Sequence, residues 1–238
     1  MNIQTMHIEF KAGLDKSESL SYPDFRPEQI DLFLNKAIED IVKQRFTGNN
    51  PKKESVEETQ KRRDDLRTLT TNFTSSAFIN TADNKPNGSF IKLPSDYWFT
   101  LEEEVSASYL DCHNNIINNQ RISVRPSTHD RYNKIKYDPF NKPNKIEIIS
   151  LPFGYPTGVL GLATDRFNEL ITDSTTTLNA YYLRYIKKPQ EVSLINSIDC
   201  DLPEHMHREV IDYAVNLALE NIESPRYQTQ INELLRNE

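Results

Sequence analysis

The sequence predicts an α+β fold in which helices from both ends of the chain form a bundle and an antiparallel β lobe is inserted between them. Apolar residues recur at helical spacing near both termini, short β-like segments fill the middle, and clusters of Asn, Pro and Gly separate those segments. We expect the N-terminal helices in residues 1–80, the β-rich lobe in 81–200 and the closing helices in 201–238, together forming one domain.

Two amphipathic helices are expected near the N-terminus. The first has Ile3, Met6, Phe10 and Leu14 at spacings of three and four, which places them on one face. The second starts at Pro27, a residue suited to a first helical turn, and ends at 48–51. Its apolar stripe consists of Ile30, Phe33, Leu34, Ala37, Ile41 and Val42.

A strongly charged segment, 52–71, predicts a third helix. Ser55 and Glu58 have the spacing of a capping box. Its strongly apolar residues are few, so we expect the helix to bury little within its own subunit and to be exposed or packed on a neighbouring chain. Those apolar residues are Val56, Leu66 and Leu69.

The middle of the chain predicts an antiparallel sheet or small barrel, because short strand-like segments follow one another with few helical patterns between them. The expected strands are 90–94, 98–109, 121–125, 145–151, 159–163, 167–172 and 178–186. A closing helix is expected from Asp201, with Pro203 and Glu204 in its first turn, and a shorter helix over 227–235.

Composition excludes some partners. The 238 residues have a net charge of −7, which disfavours a surface that binds nucleic-acid phosphates over its whole extent and also disfavours binding to an anionic membrane.

Cys112 and Cys200 form no CxxC pair, so we expect two reduced thiols. No segment has the pattern of a signal peptide or a transmembrane helix, which predicts folding in a cytoplasm.

Catalytic chemistry is not predicted. The sequence contains no GxxxxGK[ST], GxGxxG, GxSxG or HExxH motif, and its six glycines leave little material for a phosphate-binding loop. His205 and His207 are two apart on a helix, a spacing that chelates metal poorly. The run Glu102–Glu104 is more typical of a strand with alternating faces than of an acid/base pair of carboxylates. The segment Tyr181–Lys188 is likewise more typical of such a strand than of a site that binds single-stranded nucleic acid. We therefore predict no catalytic, cofactor-binding or metal-binding residue, and no cofactor.

Four segments resemble the adaptor and neck proteins of tailed phages. They are the second helix PEQIDLFLNKAIEDIVKQRF, the segment KLPSDYWF, the strand YYLRYIKKPQEVSL and the closing segment DLPEHMHREVIDYAVNLALENIESPRY. Within them the matching residues are Leu93, Pro94, Asp96, Tyr97, Tyr182, Arg184, Tyr185, Lys187, Pro189, Leu202, Pro203, Glu204, His207, Glu209, Ala214, Ala218 and Glu220. The stretches THDRYNKIKYDPFNKPNK and FKAGLDKSESLSYPDFRPEQID are similar to ring proteins of crAss-like phages of gut Bacteroidales.

The resemblance implies a structural virion protein and not an enzyme. It implies a homo-oligomeric neck ring, usually of twelve subunits, below the portal protein and beside other neck and tail ring proteins. The ring would link capsid to tail, and genomic DNA would pass through it without specific binding. On this basis we expect Asp64 and Asp65 to contact basic residues of the next subunit.

Two further functions stay open at the level of sequence. One is another position in the neck or tail, such as a tail-completion protein. The other is a small DNA-binding accessory protein of the phage, which salt-sensitive DNA binding would distinguish from a connector. An enzyme ranks third, because nucleotide and nucleophile motifs are missing.

Overall fold

The computed structural model describes residues 1–15, 25–47, 59–111, 113, 115–159, 162 and 164–221. It contains helices and a curled eight-stranded sheet, so the predicted α+β class is confirmed. The helices are α1 Ile3–Asp15, α2 Pro27–Thr47, α3 Gln60–Asp65, α4 His129–Ile135 and α5 His207–Asn221. The strands are β1 Thr70–Ser75, β2 Phe78–Ile79, β3 Gly88–Lys92, β4 Tyr97–Leu110, β5 Ile116–Pro126, β6 Glu147–Phe153, β7 Phe167–Ile171 and β8 Thr176–Lys187.

The chain divides into two compact units. One, here called the helical unit, comprises residues 1–69 and 189–238; the other, the β unit, comprises residues 70–188. The helical unit contains 23 Asp and Glu against 15 Lys and Arg, a net charge of −8, whereas the β unit contains 12 against 13, a net charge of +1. The acidity of the protein is therefore confined to the helical unit.

The helical unit is held together by the apolar faces of α1, α2 and α5. The predicted α1 face is buried throughout, and α5 buries its small residues Ala214 and Ala218 beside larger aliphatic side chains. A Cβ added to Gly13 of α1 would lie 3.0 Å from Val215, so these two helices approach closely. The buried face of α2 includes Ile38 where we predicted Phe33, which is half-buried and stacks on Phe10 with 6.3 Å between ring centroids.

The third helix is shorter than predicted. It covers Gln60–Asp65, continues as a 3₁₀ turn at Arg67–Leu69, and gives way to strand β1 at Thr70. The prediction that this segment buries little is also wrong, because Arg62, Asp65, Leu66 and Leu69 are all buried. The first part of the predicted helix, 52–58, and the predicted helix 227–235 lie outside the described residues.

The β unit is one sheet with strand order β1-β8-β4-β5-β6-β7-β3-β2. All neighbouring strands are antiparallel except β5 and β6, which are parallel and therefore need a crossover connection that contains α4. The edge strands β1 and β2 are separated only by Ser76 and Ala77. Three Cα steps span at most about 11 Å, so the two edges must come close together and the sheet must curl.

Side chains from all eight strands fill the inside of this curled sheet. The buried members of this interior cluster are Ile91, Leu93, Val105, Ala107, Ile122, Val124, Ile148, Leu170, Tyr181, Leu183 and Tyr185, with Phe73 and Phe78 packed against them from the two edge strands. On the outer face, Tyr132 and Ile135 of α4 pack against Ile149, Leu151 and Ile171. The interior cluster covers one face of β6 and β7 and α4 covers the other, so this packing fixes the position of the connection between β5 and β6.

The predicted strands coincide with most of the observed ones, and the differences are one predicted strand and three observed elements. Segment 159–163 contains no strand among its described residues, Val159 and Leu162. Strands β1 and β2 and helix α4 were not predicted as such.

Candidate functional site

The carboxylates of strand β4 point alternately to the two sides of the sheet, as the sequence predicts. On the outer face, Glu102 pairs with Arg184 at 3.0 Å and Glu104 pairs with Arg121 at 2.6 Å. The guanidinium of Arg121 also lies 4.3 Å from the ring centroid of Tyr182. These side chains line a shallow groove of about 260 Å³. Each basic residue of this face is neutralised by a neighbouring carboxylate, an arrangement that weakens any attraction for phosphate.

Glu103 faces the opposite way, into the interior of the sheet. Its Oε1 accepts a hydrogen bond from the Asn168 side chain at 3.0 Å. Burial raises the pKa of Glu103, although Ser150, Tyr181 and Asn168 favour its charged form by hydrogen bonding. Glu103 is thus a buried polar residue within the core of the sheet. Its hydrogen-bond partners on neighbouring strands fix its position.

The two histidines of the HxH pair point in different directions. His205 Nε2 lies 3.0 Å from Asp65 Oδ1, whereas His207 is buried and its Nε2 lies 2.9 Å from the Leu202 carbonyl oxygen. Across the part of the chain that the structure describes, no three His, Cys, Asp or Glu residues converge as metal ligands. Cys200 has a free thiol whose pKa is raised to about 11 by burial.

Asp65 is part of a buried charge network within one chain, so the prediction that it contacts the next subunit is wrong. Its carboxylate is fully buried and lies 3.1 Å from Arg45 Nε. Arg45, itself 2% exposed, also pairs with Glu209. The network thereby joins α2, α3 and α5. Asp64, the neighbouring residue of the prediction, is exposed.

A second set of polar contacts attaches the segment after β8 to α2. Asn35 donates from Nδ2 to the Val192 carbonyl at 3.1 Å and accepts the Val192 N–H at 2.8 Å, so its amide pairs with one backbone unit in both directions. Asp31 accepts the Leu194 N–H at 3.1 Å and lies 2.7 Å from His7 Nε2. Residues 189–194 are therefore held firmly along α2.

This arrangement leaves two adjoining hollows on the surface of the helical unit, here together called the Leu32 groove. Leu32, 67% exposed, and Lys36 belong to both hollows. The first, of about 310 Å³, is lined also by Asn35, Ile38, Glu39, Pro189, Gln190 and Glu191. The second, of about 510 Å³, is lined also by Phe33, Leu217, Glu220 and Asn221. The lining contains three glutamates against one lysine together with several apolar side chains, and one of the glutamates, Glu39, also pairs with Lys43 at 3.2 Å.

A second prominent surface belongs to the β unit. The connection between the parallel strands β5 and β6, residues 127–146, is here called the crossover loop and contains α4. It carries five Lys and Arg against two Asp. Two aromatic side chains project from it, Tyr137 with 81% and Phe140 with 90% exposure, followed by Ile146 with 78%. We do not expect this exposure from the sequence, because aromatic residues in a β-rich segment are ordinarily core residues.

The crossover loop is well ordered by its own hydrogen bonds. Asp138 accepts the Phe140 N–H at 3.0 Å and the Asn141 side-chain amide at 2.5 Å, and these contacts hold the pKa of Asp138 below its ordinary value. Arg125 on β5 donates to the Asn141 carbonyl at 2.6 Å, and Lys145 bonds the Leu110 carbonyl. The exposed aromatic rings are therefore displayed on a defined scaffold.

Comparison with known proteins decides the family. The family model described as phage tail ring protein 3/4 matches residues 1–230. The chain belongs to this family. It is also similar to "Ring protein 4/5" of Bacteroides phage crAss001, with 23% identity over 240 residues that cover 92% of each chain. The resemblance to crAss-like ring proteins is thereby confirmed.

Family membership establishes the general role of the molecule. A phage tail ring protein is a structural component of the virion's tail region, and its family points to a ring assembled with other tail proteins. The surfaces that matter for such a protein are those that contact other chains. No helix within the described residues combines the length and apolar character that crossing a bilayer requires.

Proposed function

We propose that this ring-family chain forms a neck ring immediately below the portal, as the head-to-tail connector that links capsid to tail. The ring would contain twelve copies, would be assembled in the cytoplasm of the bacterial host, and would surround a channel through which the genome passes. The observation that carries this proposal is the family match over residues 1–230, which extends across both units of the chain.

The arrangement of the units supports the connector architecture. Residues from both ends of the chain form the helical unit, and the β unit is a continuous stretch between them. We propose that the helical unit acts as the bundle of a connector, with the β unit as its inserted lobe. The two compact units divide at residues 70 and 188, and the proposed bundle and lobe follow these units in place of the limits 81 and 200 expected from the sequence.

The surfaces also suit a closed ring. A ring requires a heterologous contact, in which one face of a subunit meets a different face of the next. The chain offers two such dissimilar faces, one acidic and grooved, the other basic and aromatic. A two-fold dimer would instead require one self-complementary face.

The charges fit a channel through which DNA slides. The net charge of −7 opposes retention of phosphates, and Arg121 and Arg184 are each paired with a glutamate. A channel lined by such a protein would hold genomic DNA without specific binding. No catalytic role is part of this proposal.

Native mass spectrometry of the protein mixed with its cognate portal tests the proposal. About twelve added copies per portal, each of 27.7 kDa, would support the neck ring. Stable association with a different tail component and not with the portal would favour another neck or tail-completion position. Tight, salt-sensitive DNA binding without ring formation would favour the accessory DNA-binding alternative, for which the basic crossover loop is the feature to examine.

A further inference from the structure

The exposed apolar residues of the β unit are concentrated around the crossover loop. Tyr137, Phe140 and Ile146 lie on the loop itself, and Lys145 bonds the Leu110 carbonyl at the end of strand β4. Leu110 and Ile116, which flank the β4–β5 turn, are exposed as well. Exposed apolar groups gathered in this way are typical of protein-binding surfaces.

The chemistry of this patch favours a protein partner over nucleic acid. Aromatic residues and Arg are enriched at protein interfaces and frequently supply the strongest contacts. Stacking on a nucleic-acid base could use Tyr137 or Phe140, but it would leave the aliphatic Ile146, Leu110 and Ile116 exposed. A protein surface with apolar groups can cover aliphatic and aromatic side chains alike, so the exposed aliphatic residues favour a protein partner.

The partner must also be acidic, because the crossover loop carries five basic residues against two acidic ones. Lys134 and Lys142, exposed on either side of Phe140, would sit at the rim of such a contact. The helical unit of a second copy meets this requirement, with its net charge of −8.

The Leu32 groove supplies the matching shape. Its hollows of about 310 and 510 Å³ fall within the range of volumes found for ligand-binding pockets and are large enough to accept an aromatic side chain. The exposed Leu32 side chain lies between them, and Glu39, Glu191 and Glu220 surround them. The bidentate contact of Asn35 with Val192 holds one wall in place, so little ordering would accompany binding.

We propose that the crossover loop of one copy docks into the Leu32 groove of the next, with Phe140 and Tyr137 in the hollows and Lys134 and Lys142 facing the groove glutamates. This inference rests on the proposed ring assembly and specifies its subunit contact. Because the loop and the groove are different faces of the same chain, the contact repeats head to tail and can close a ring.

Cross-linking between two differently labelled copies tests the contact. One copy carries Phe140→Cys and the other Leu32→Cys, both in a Cys112→Ser background, and a short bis-maleimide is added to the protein alone and to its assembly with the portal. We expect a cross-linked pair that contains one of each copy. The matched control replaces Phe140→Cys by Leu162→Cys. Leu162 is similarly exposed but lies in the connection that leaves the opposite end of β6, so it should not cross-link to Leu32→Cys.

A charge exchange provides the second measurement. Lys134→Glu with Lys142→Glu should weaken self-association about tenfold or more, and Glu39→Lys with Glu220→Lys should do the same. Mixing the two variants should restore both contacts between unlike copies, the reversed loop with the reversed groove and the unaltered loop with the unaltered groove. Alternating assemblies should then appear where neither variant associates alone. Circular dichroism of each variant checks that it remains folded.

The possible outcomes distinguish a failure of the proposed subunit contact from a failure of the proposed neck ring. A portal-bound ring of normal mass without the Phe140–Leu32 cross-link overturns this contact and leaves the neck ring intact. Failure of every form of association overturns both proposals. Loss of duplex-DNA binding in the Lys134→Glu, Lys142→Glu variant with unchanged ring mass overturns the contact and assigns the loop to nucleic acid.

Discussion

Gly88 begins strand β3 where the neighbouring strand leaves no room for a side chain. A Cβ at this position would lie 2.7 Å from Glu169 Oε1 and 3.0 Å from the Lys85 carbonyl oxygen. Glu169 is buried, and its carboxylate accepts the Lys85 N–H at 2.5 Å. The turn before β3 and the position of the Glu169 carboxylate therefore depend on the absence of a side chain at residue 88.

Gly88→Ala should lower the free energy of unfolding by about 1–3 kcal/mol, because the added methyl group overpacks this contact. Urea denaturation measures the change. Gly154→Ala is the matched control, since a Cβ there would meet nothing within 4 Å. Equal losses in the two variants would show that steric exclusion at Gly88 is not the cause.

The buried carboxyl of Glu103 should make the free energy of unfolding depend on pH. Burial raises the pKa of its carboxyl in the folded protein above the value of 4.5 for the free group. Below pH 4.5 the Glu103 carboxyl is protonated in both the folded and the unfolded protein, so its burial carries no cost from a buried charge. As the pH rises from there through the folded pKa, the unfolded chain loses its proton first, so stability falls and the full penalty is present above the folded pKa.

Glu103→Gln should therefore stabilise the protein at neutral pH, and the gain should vanish in acid below the ordinary glutamate pKa. The glutamine can still accept the hydrogen bond from Asn168, which is 3.0 Å from Oε1. Urea midpoints measured across the acid range give the comparison. Glu104→Gln, which alters the adjacent outward carboxylate, serves as control and should show no such gain. A loss of stability in Glu103→Gln at neutral pH would contradict the argument.

At the scale of elements, helices α2, α3 and α5 are joined by the buried network of Arg45, Asp65 and Glu209. Arg45→Met would leave Asp65 buried beside His205 without its arginine partner. Because an uncompensated buried charge is costly, we expect a loss of about 3–5 kcal/mol in the free energy of unfolding. Thermal and urea denaturation measure this loss.

Lys43→Met on the same helix provides the comparison for this network. Lys43 pairs with Glu39 at 3.2 Å on the surface, and an exposed pair of this type contributes at most about 0.5 kcal/mol. If Arg45→Met costs no more than Lys43→Met, the buried network contributes little to joining the helices.

The elements that sequence predicted well are those whose signal is local. Pro27 and the apolar stripe of α2 predicted a helix that begins at Pro27 and ends at Thr47, and alternation in β4 assigned its glutamates to the correct faces. Strand β1 was missed because Phe73 is its single large apolar residue, and its pairing partner β8 lies more than a hundred residues away. Helix α4 was missed because only Tyr132 and Ile135 mark its buried face.

The candidate surfaces were less predictable than the fold. The role of Asp65 was wrong because a charged residue in a charged segment is normally solvated, whereas here Arg45 from a distant segment compensates its burial. Phe140 lies in a Pro- and Asn-rich cluster that predicts only a turn, and the display of its ring depends on how Asp138 and Arg125 hold the loop. Both outcomes result from contacts between segments far apart in sequence.

Across the whole subunit, the uneven distribution of charge bears on both the proposed ring assembly and its proposed DNA channel. The helical unit has a net charge of −8 and the β unit +1, so one unit of a subunit can attract the other unit of its neighbour. The same pairing would neutralise the basic loop within the ring. A channel in which cations are paired, either within the chain or across subunits, presents few free positive groups to DNA.

Removing the internal partners of Arg121 and Arg184 should therefore raise the affinity of the protein for duplex DNA. We expect Glu102→Gln with Glu104→Gln to bind duplex DNA more tightly than the parent, with a log–log salt dependence steeper by up to about two counterions, one for each released arginine. Fluorescence anisotropy from low to physiological salt measures both quantities. Glu28→Gln with Glu220→Gln makes the same change in net charge at exposed positions of the helical unit and should leave the slope unchanged. An equal increase in both variants would mean that net charge alone, and not the local pairing of the two arginines, limits binding to DNA.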